Sequence, residues 1–396
     1  MASAEQWLLP DGIEELYPQQ ARVIEALRRD LLTLYERWGY ELVFPPLVEY
    51  LESLHTGMGR DLALQTMTMT DQLTGRLMGL RADITPQVAR IDAHGLKREG
   101  PVRLCYAGTV LHATPNLSGS RALIQIGVEL FGHQSSDSDI EVIELMLRTL
   151  YTAGCKALTL DLGHVAIYEQ LLANSTLSSE LKNRLLAIYA RKAMTELELF
   201  LAEFVHDEKL KNQLYQLPLL AGDANCLNKA RVLFKDIPEI LNAITELEYV
   251  SQHIQQVFPS LSIYYDLSEL RGYHYHTGIV FAAYTPGHGQ AIAKGGRYDD
   301  VGEKFGRARP ATGFSTDLKT LANLGSYHQY SQVMRIFAPA QADAALRETI
   351  SSLREQGHIV IQELRAQQQD AASMGCSHHL VKQNTDWVVS KIESTV

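Results

Sequence analysis

A chain of 396 residues in which 46% of side chains are apolar can bury a large core and is long enough for two or more domains. Its 36 Lys and Arg against 46 Asp and Glu leave a formal charge of -10, so nothing supports a nucleic-acid-binding face, which needs basic residues to displace phosphate counterions. There is no run of about 18 apolar residues and no basic-then-apolar leader, so neither a membrane span nor a secretion signal is expected, and the expected compartment is the cytoplasm.

Val23, Ile24, Leu27, Leu31, Leu34 and Trp38 recur at spacings of three and four, which predicts an amphipathic helix over residues 18–38 that Gly39 ends. A strand, YELVFPPLVE, follows. QTMTMTDQLTGRLMGLR then reads as two short strands about a Thr-Gly turn, and TPQVARIDAHG as a helix starting at Pro86 with Thr85 as N-cap. Leu104–Leu111 and Leu123–Phe131 are expected to form a hairpin with a long tip rich in Pro, Asn, Ser and Gly. The return strand alternates, with Leu123, Gln125, Gly127 and Glu129 on one face, so that face is polar at Gln125 and Glu129. SDSDIEVIELMLRTLYTAG is a capped helix and KALTLDLGH a strand. About residues 176–257 the composition turns to helix formers, read as a helical insertion. SIYYDLS, TGIVFAAY and QAIAKGG restore antiparallel strands that complete one wide sheet. Residues 322–333 read as a linker between a core, 1–321, and a small α/β domain, 334–396, with elements strand, helix, strand, helix over RAQQQDAASMG, then strand. The fold class is thus α+β: a mainly antiparallel sheet flanked by helices, with a helical insertion and a small C-terminal α/β domain.

Few motifs stand out singly. Cys105, Cys155, Cys226 and Cys376 are widely spaced without a CxxC, so buried thiols are expected rather than a zinc knuckle, redox pair or disulfide framework. His274 and His276 in RGYHYHTG could face one side of a strand and bind a metal, but no local carboxylate or cysteine joins them, so no metal is assigned. CSHH at 376–379 reads as a loop. GMGR at 57–60 has the glycines of a phosphate loop without its Lys-Ser/Thr. KGGRYDD carries two glycines that let backbone approach a ligand or a neighbouring strand. Asp83 and Thr85 stand at a strand-to-helix junction, where helix capping and ligand binding are both open readings.

In this order and register, over residues 1–321, these segments resemble the class II aminoacyl-tRNA synthetases, specifically histidyl-tRNA synthetase. GYELVFPPLVE is similar to the family's first motif, with Pro46 and Glu49 where that motif forms a self-dimer, and LRADITPQVAR, RGYHYHTG and KGGRYD resemble its amino-acid-binding segments. The resemblance implies a histidine pocket of Asp83, Thr85, Gln125, Glu129, Arg271, Tyr275 and Tyr298, with His112, Arg121 and His276 at its rim. A histidine zwitterion needs a cation for its carboxylate, an anion for its ammonium and polar partners for its ring, and in this scheme Arg271 meets the carboxylate. The nucleotide half departs. The second motif's arginine falls on His112 and its glutamate on Thr114; the third motif's arginine falls on Thr320 and its glutamate on Lys319. Neutral His and Thr cannot stabilise charge on a pentavalent phosphorus, and two lost clamps lower turnover by about 10⁴-fold or more. The C-terminal part holds only 63 residues, with 6 basic and 7 acidic, so no tRNA binding is expected. A core that keeps the histidine pocket and loses the ATP clamps resembles the regulatory subunits of short-form ATP phosphoribosyltransferase. That resemblance implies a non-catalytic protein without cofactor that partners a catalytic subunit in a hetero-octamer, activates it, and binds histidine as inhibitory effector. The alternatives are a degenerate histidyl-tRNA synthetase and a free-standing histidine-binding protein.

Overall fold

The structure, a computed structural model, describes residues 7–57, 59–116, 119–173, 175–270, 272, 275–327 and 333–392, with the side chains of Arg60 and Asp61 left out. The chain divides into two compact units, Met1–His328 and Gln329–Val396.

In the first unit, helix Pro18–Arg37 buries Ile24, Leu27 and Leu31, and Gly39 follows it in the left-handed region at φ 81°. The expected strand around Pro45 and Pro46 is split into β1 (Glu41–Leu42) and β2 (Val48–Tyr50), because proline has no N–H to give a ladder. β2, β3 (Met67–Thr70) and β4 (Leu77–Leu80) make a small sheet in the order β2-β4-β3. The hairpin is β5 (Val102–Leu111) and β6 (Ala122–Phe131), in register from Val102 opposite Phe131 to Leu111 opposite Ala122. β7 (Thr159–His164), β8 (Ala221–Gly222), β9 (Ser262–Asp266), β10 (Ile279–Tyr284), β11 (Ala293–Arg297) and β12 (Ala311–Asp317) complete a nine-stranded sheet ordered β1-β5-β6-β12-β11-β10-β7-β9-β8. Its β1–β5 and β7–β9 pairs are parallel and the other pairs antiparallel.

Residues 176–257 are helical apart from β8, which leaves the insertion to pair with β9 at the sheet's edge. One face of the sheet carries the main apolar core, built with helices Pro18–Arg37, Asp137–Thr152 and those of the insertion. The opposite face carries the polar row. All four cysteines are buried free thiols, as expected.

The second unit has β13 (Arg335–Ala338), helix Ala344–Glu355, β14 (Ile359–Gln362), β15 (His378–Gln383) and β16 (Asp386–Lys391), in the order β14-β13-β15-β16. Two expectations fail here. RAQQQDAASMG forms turns rather than a helix, and His378 and His379 open strand β15 rather than lying in a loop. Among the described residues no helix is long and apolar enough to cross a membrane.

Candidate functional site

Strand pairing sets the polar face. Tyr106 on β5 stands opposite Gly127 on β6, and Glu129 on β6 stands opposite Gly313 on β12. Both glycines are required by crowding. A Cβ on Gly127 would lie 2.7 Å from Tyr106 Oη, and one on Gly313 would overlap Glu129 Oε2 and sit 2.6 Å from its Cδ. The missing side chains let a tyrosine and a carboxyl lie down over the neighbouring strand.

Glu129 is 1% exposed. Tyr106 Oη donates to its Oε1 at 3.0 Å and Tyr298 Oη donates to its Oε2. Thr85 Oγ1 lies 3.2 Å from Tyr106 Oη. Thr85 therefore directs its hydroxyl into this cluster and does not cap its helix; the Thr85 N–H is taken instead by Asp83 Oδ1 at 3.1 Å. The same Oδ1 accepts from Gln125 Nε2 at 2.7 Å, and Gln125 Oε1 accepts from Ile84 N–H at 2.9 Å. These bonds lock the start of helix Thr85–Arg90 to the sheet. The Tyr275 ring packs on Tyr298 with centroids 5.0 Å apart and on His276 at 5.4 Å. Tyr275 Oη and His276 Nδ1 are buried with no hydrogen-bond partner among the described residues.

Burial pushes the Glu129 carboxyl up to about 8, against the tyrosine and threonine hydroxyls, which favour its ionised form, and with Asp83 nearby adding repulsion. No cation pairs with Glu129 among the described residues. Burial, reinforced by Lys294, drops His276 to about 4, so its ring is neutral. The arrangement can accept an N–H-rich or cationic group at Glu129 and exchange hydrogen bonds with a polar ring at Tyr275 and His276.

Asp83, Thr85, Gln125, Glu129, Tyr275, Tyr298 and His276 are thus brought together around one face. Arg271 and His274 lie outside the described residues. Tyr106 belongs to the cluster and sequence reasoning missed it, although the alternation of β5 places it on the polar face opposite Gly127.

The positions that differ from the synthetase pattern are each satisfied from within the chain. His112 Nε2 lies 3.0 Å from the Ala82 carbonyl, and Thr114 Oγ1 donates to Gln65 at 2.9 Å. Thr320 donates its N–H and hydroxyl to Asp317 Oδ2 at 3.0 and 2.8 Å, while Asp317 Oδ1 accepts from Ile124 N–H. Lys319 pairs with Glu14 at 2.8 Å. Arg121 donates to the His112 carbonyl at 3.0 Å and holds Met67 Sδ at 3.5 Å, its backbone N–H going to Gly12. A carboxylate, Asp317, therefore stands beside Thr320 and is bonded to it.

The histidyl-tRNA synthetase profile matches residues 12–321, and the profile of the ATP phosphoribosyltransferase subunit HisZ C-terminal domain matches residues 333–390. The ATP phosphoribosyltransferase regulatory subunit of Thioalkalivibrio sulfidiphilus is 51% identical over 99% of this chain and 100% of its own, and that of Stutzerimonas stutzeri is 51% identical over the whole of both. A crystal structure of an ATP phosphoribosyltransferase regulatory subunit/histidyl-tRNA synthetase from Bacillus halodurans superposes with a TM-score of 0.83 at 26% identity, covering 95% of this chain and 97% of that one. Histidyl-tRNA synthetase from Nostoc, at 19% identity, 95% and 91% coverage and a TM-score of 0.78, shares the fold. With both profiles matched in order and half the residues identical along its full length, the chain belongs to the family of ATP phosphoribosyltransferase regulatory subunits.

Proposed function

We propose that this chain binds histidine at the Glu129 pocket and, as the regulatory subunit of a short-form ATP phosphoribosyltransferase, activates a separate catalytic subunit and relays inhibition by histidine, the product of the pathway whose first step that enzyme catalyses. The observation that carries the reading is Glu129: a carboxyl buried among Tyr106 and Tyr298 with no cation paired to it among the described residues. Ionising this buried carboxyl costs free energy, which is what raises its pKa, and a cationic or N–H-bearing ligand offsets that cost.

Asp83, Thr85, Gln125, Tyr275 and Tyr298 complete the histidine site in this reading, with Arg271 on the carboxylate and His112, Arg121 and His276 at the rim. The internally bonded Asp317 and Thr320 argue against ATP use and so against a synthetase. Signal transmission to the partner is a coupling free energy, about 1–3 kcal/mol in typical systems, carried across a hetero-octamer that also contains self-dimers of the core. The whole is expected in the cytoplasm.

The test has two parts. Titration calorimetry should show histidine binding that Arg271→Ala weakens; equal affinity removes the proposed carboxylate contact. Purified protein should co-purify with a short-form catalytic subunit and raise its turnover, and should give no ATP–pyrophosphate exchange with histidine. Robust exchange would return the chain to the synthetases.

A further inference from the structure

Lys294 is a charged residue of the polar sheet face to which no role has been given. On β11 it stands opposite Ser315 of β12, two residues along from Gly296, and Gly296 stands opposite Gly313, which in turn faces Glu129. Paired and alternate residues share a face, so Lys294 and Glu129 project from the same side of the sheet. The chain supplies an independent sign of this. The His276 ring covers Gly296, where a Cβ would come within 3.0 Å of its Nδ1, and Lys294 is close enough to help hold that ring neutral.

Lys294 is exposed and makes no hydrogen bond or ion pair among the described residues. Its neighbours on this face are otherwise engaged. Asp317 is tied to Thr320 and Ile124, Arg121 to the His112 carbonyl and Met67, and Asp161, two strands away, carries an interaction of its own. The Glu129 carboxyl lies over Gly313. With strands about 4.8 Å apart and about 3.4 Å per residue, that point is about 8 Å from the Lys294 Cα, one strand across and two residues along. Between them lie Ser315 and Gly313, with the His276 ring over Gly296 and the Tyr275 ring packed edge to face against that of His276. An acid at one end, a free cation at the other and neutral rings between them match the charge order of a zwitterion.

We propose that Lys294 binds the carboxylate of the amino acid whose N–H-bearing end rests on Glu129, so that the pocket selects a free amino acid over its decarboxylated or reduced analogues. The inference rests on the histidine reading of the pocket. A carboxylate has two oxygens, and Lys294 provides a contact additional to the one assigned to Arg271. His276, being neutral, cannot provide it, and the position of the lost motif-two arginine is held by His112, whose ring is turned to the Ala82 carbonyl.

The experiment is calorimetric titration of the full-length chain with histidine and with histidinol, which keeps the ring and ammonium and lacks the carboxylate. Wild type should prefer histidine. Lys294→Met should weaken histidine about 10- to 100-fold, the range of a charged hydrogen bond, and change histidinol less than about threefold. Lys294→Arg should keep most of the histidine affinity. The side chain is on the surface, so an unchanged unfolding midpoint without ligand is expected and checks the fold. If Lys294→Met binds histidine as wild type does, or loses both ligands equally, the carboxylate contact is wrong while the pocket stands. If wild type binds neither ligand, the amino-acid pocket itself is wrong and this inference falls with it.

Discussion

Glu129 and His276 are two groups of the site whose protonation differs between folded and unfolded chain near neutral pH, and their signs are opposite. Glu129 moves up from 4.5 to about 8, so the folded chain holds a proton that the unfolded chain has released; its stabilising effect is complete below pH 4.5 and is lost as pH rises through 8. His276 moves down from 6.5 to about 4, so its effect is present above pH 6.5 and is lost on acidification through 4. Between pH 6.5 and 8 only Glu129 of the two is changing. Denaturant unfolding of wild type should therefore lose stability across that window, and Glu129→Gln, which fills the same volume without ionising, should be flatter there. Parallel curves for the two proteins would mean that Glu129 titrates normally and that the pocket is wetter than its burial implies. At this scale the sequence was readable where alternation decides a face: Gln125 and Glu129 fall where the strand period puts them. It was not readable where a residue acts by being absent. Gly313 makes room for Glu129 through the pairing of β12 with β6, strands far apart in the chain that no local pattern brings together, whereas Gly127 makes room for Tyr106 across the β5–β6 hairpin.

Elements were legible where an apolar stripe or ladder drives them. Helices Pro18–Arg37 and Asp137–Thr152 and the β5–β6 hairpin have such stripes, and they form as the periodicity predicts. RAQQQDAASMG has good helix formers and no stripe, so a helix there would have nothing to bury; local bonds take over instead. Asp370 accepts from Ser373 N–H at 2.8 Å, and Arg335 donates to the Gly375 and Met374 carbonyls at 3.2 Å each. Thr85 was misread for a related reason: its hydroxyl had a better-placed partner across the sheet than along its own helix. Elements are also held to each other by charge. Arg297 at the end of β11 pairs with Asp139 in the first turn of helix Asp137–Thr152 at 2.7 Å, both nearly fully buried, and also bonds Ser138 Oγ and the carbonyls of His133 and Ser135. Removing one partner of a buried pair strands the other charge. Arg297→Ala should cost about 3–5 kcal/mol by chemical denaturation, whereas Arg297→Met with Asp139→Leu should recover a large part of the loss. If the double variant is as unstable as the single one, packing of the Arg297 methylenes against Gly278 matters more than its charge.

For the whole molecule the unexplained surface is the stretch joining β1 to β2. Phe44 is 75% exposed, Leu42 41% and Leu47 39%, an apolar edge that a solitary chain has no reason to present in one run. The charged residue of that stretch is not available to a partner: Glu49 is engaged by Arg90 and Gln87, and Gln87 also holds the Pro46 carbonyl at 2.8 Å. That leaves the backbone shaped by Pro45 and Pro46 and the apolar side chains displayed. The proposed self-dimer of the core places a second copy there, and apolar side chains buried in a two-fold interface contribute twice, once per copy. Phe44→Glu inserts two like charges near the axis, and should shift the sedimenting species from about 88 kDa toward the 44.3 kDa of one chain without changing the helical signal. If the Glu129 pocket is complete within one chain, histidine affinity should survive that shift, whereas stimulation of a catalytic subunit, which needs the assembly, should fall. A variant that keeps its mass would move the interface elsewhere; a monomer that still stimulates fully would show that self-association is not part of activation.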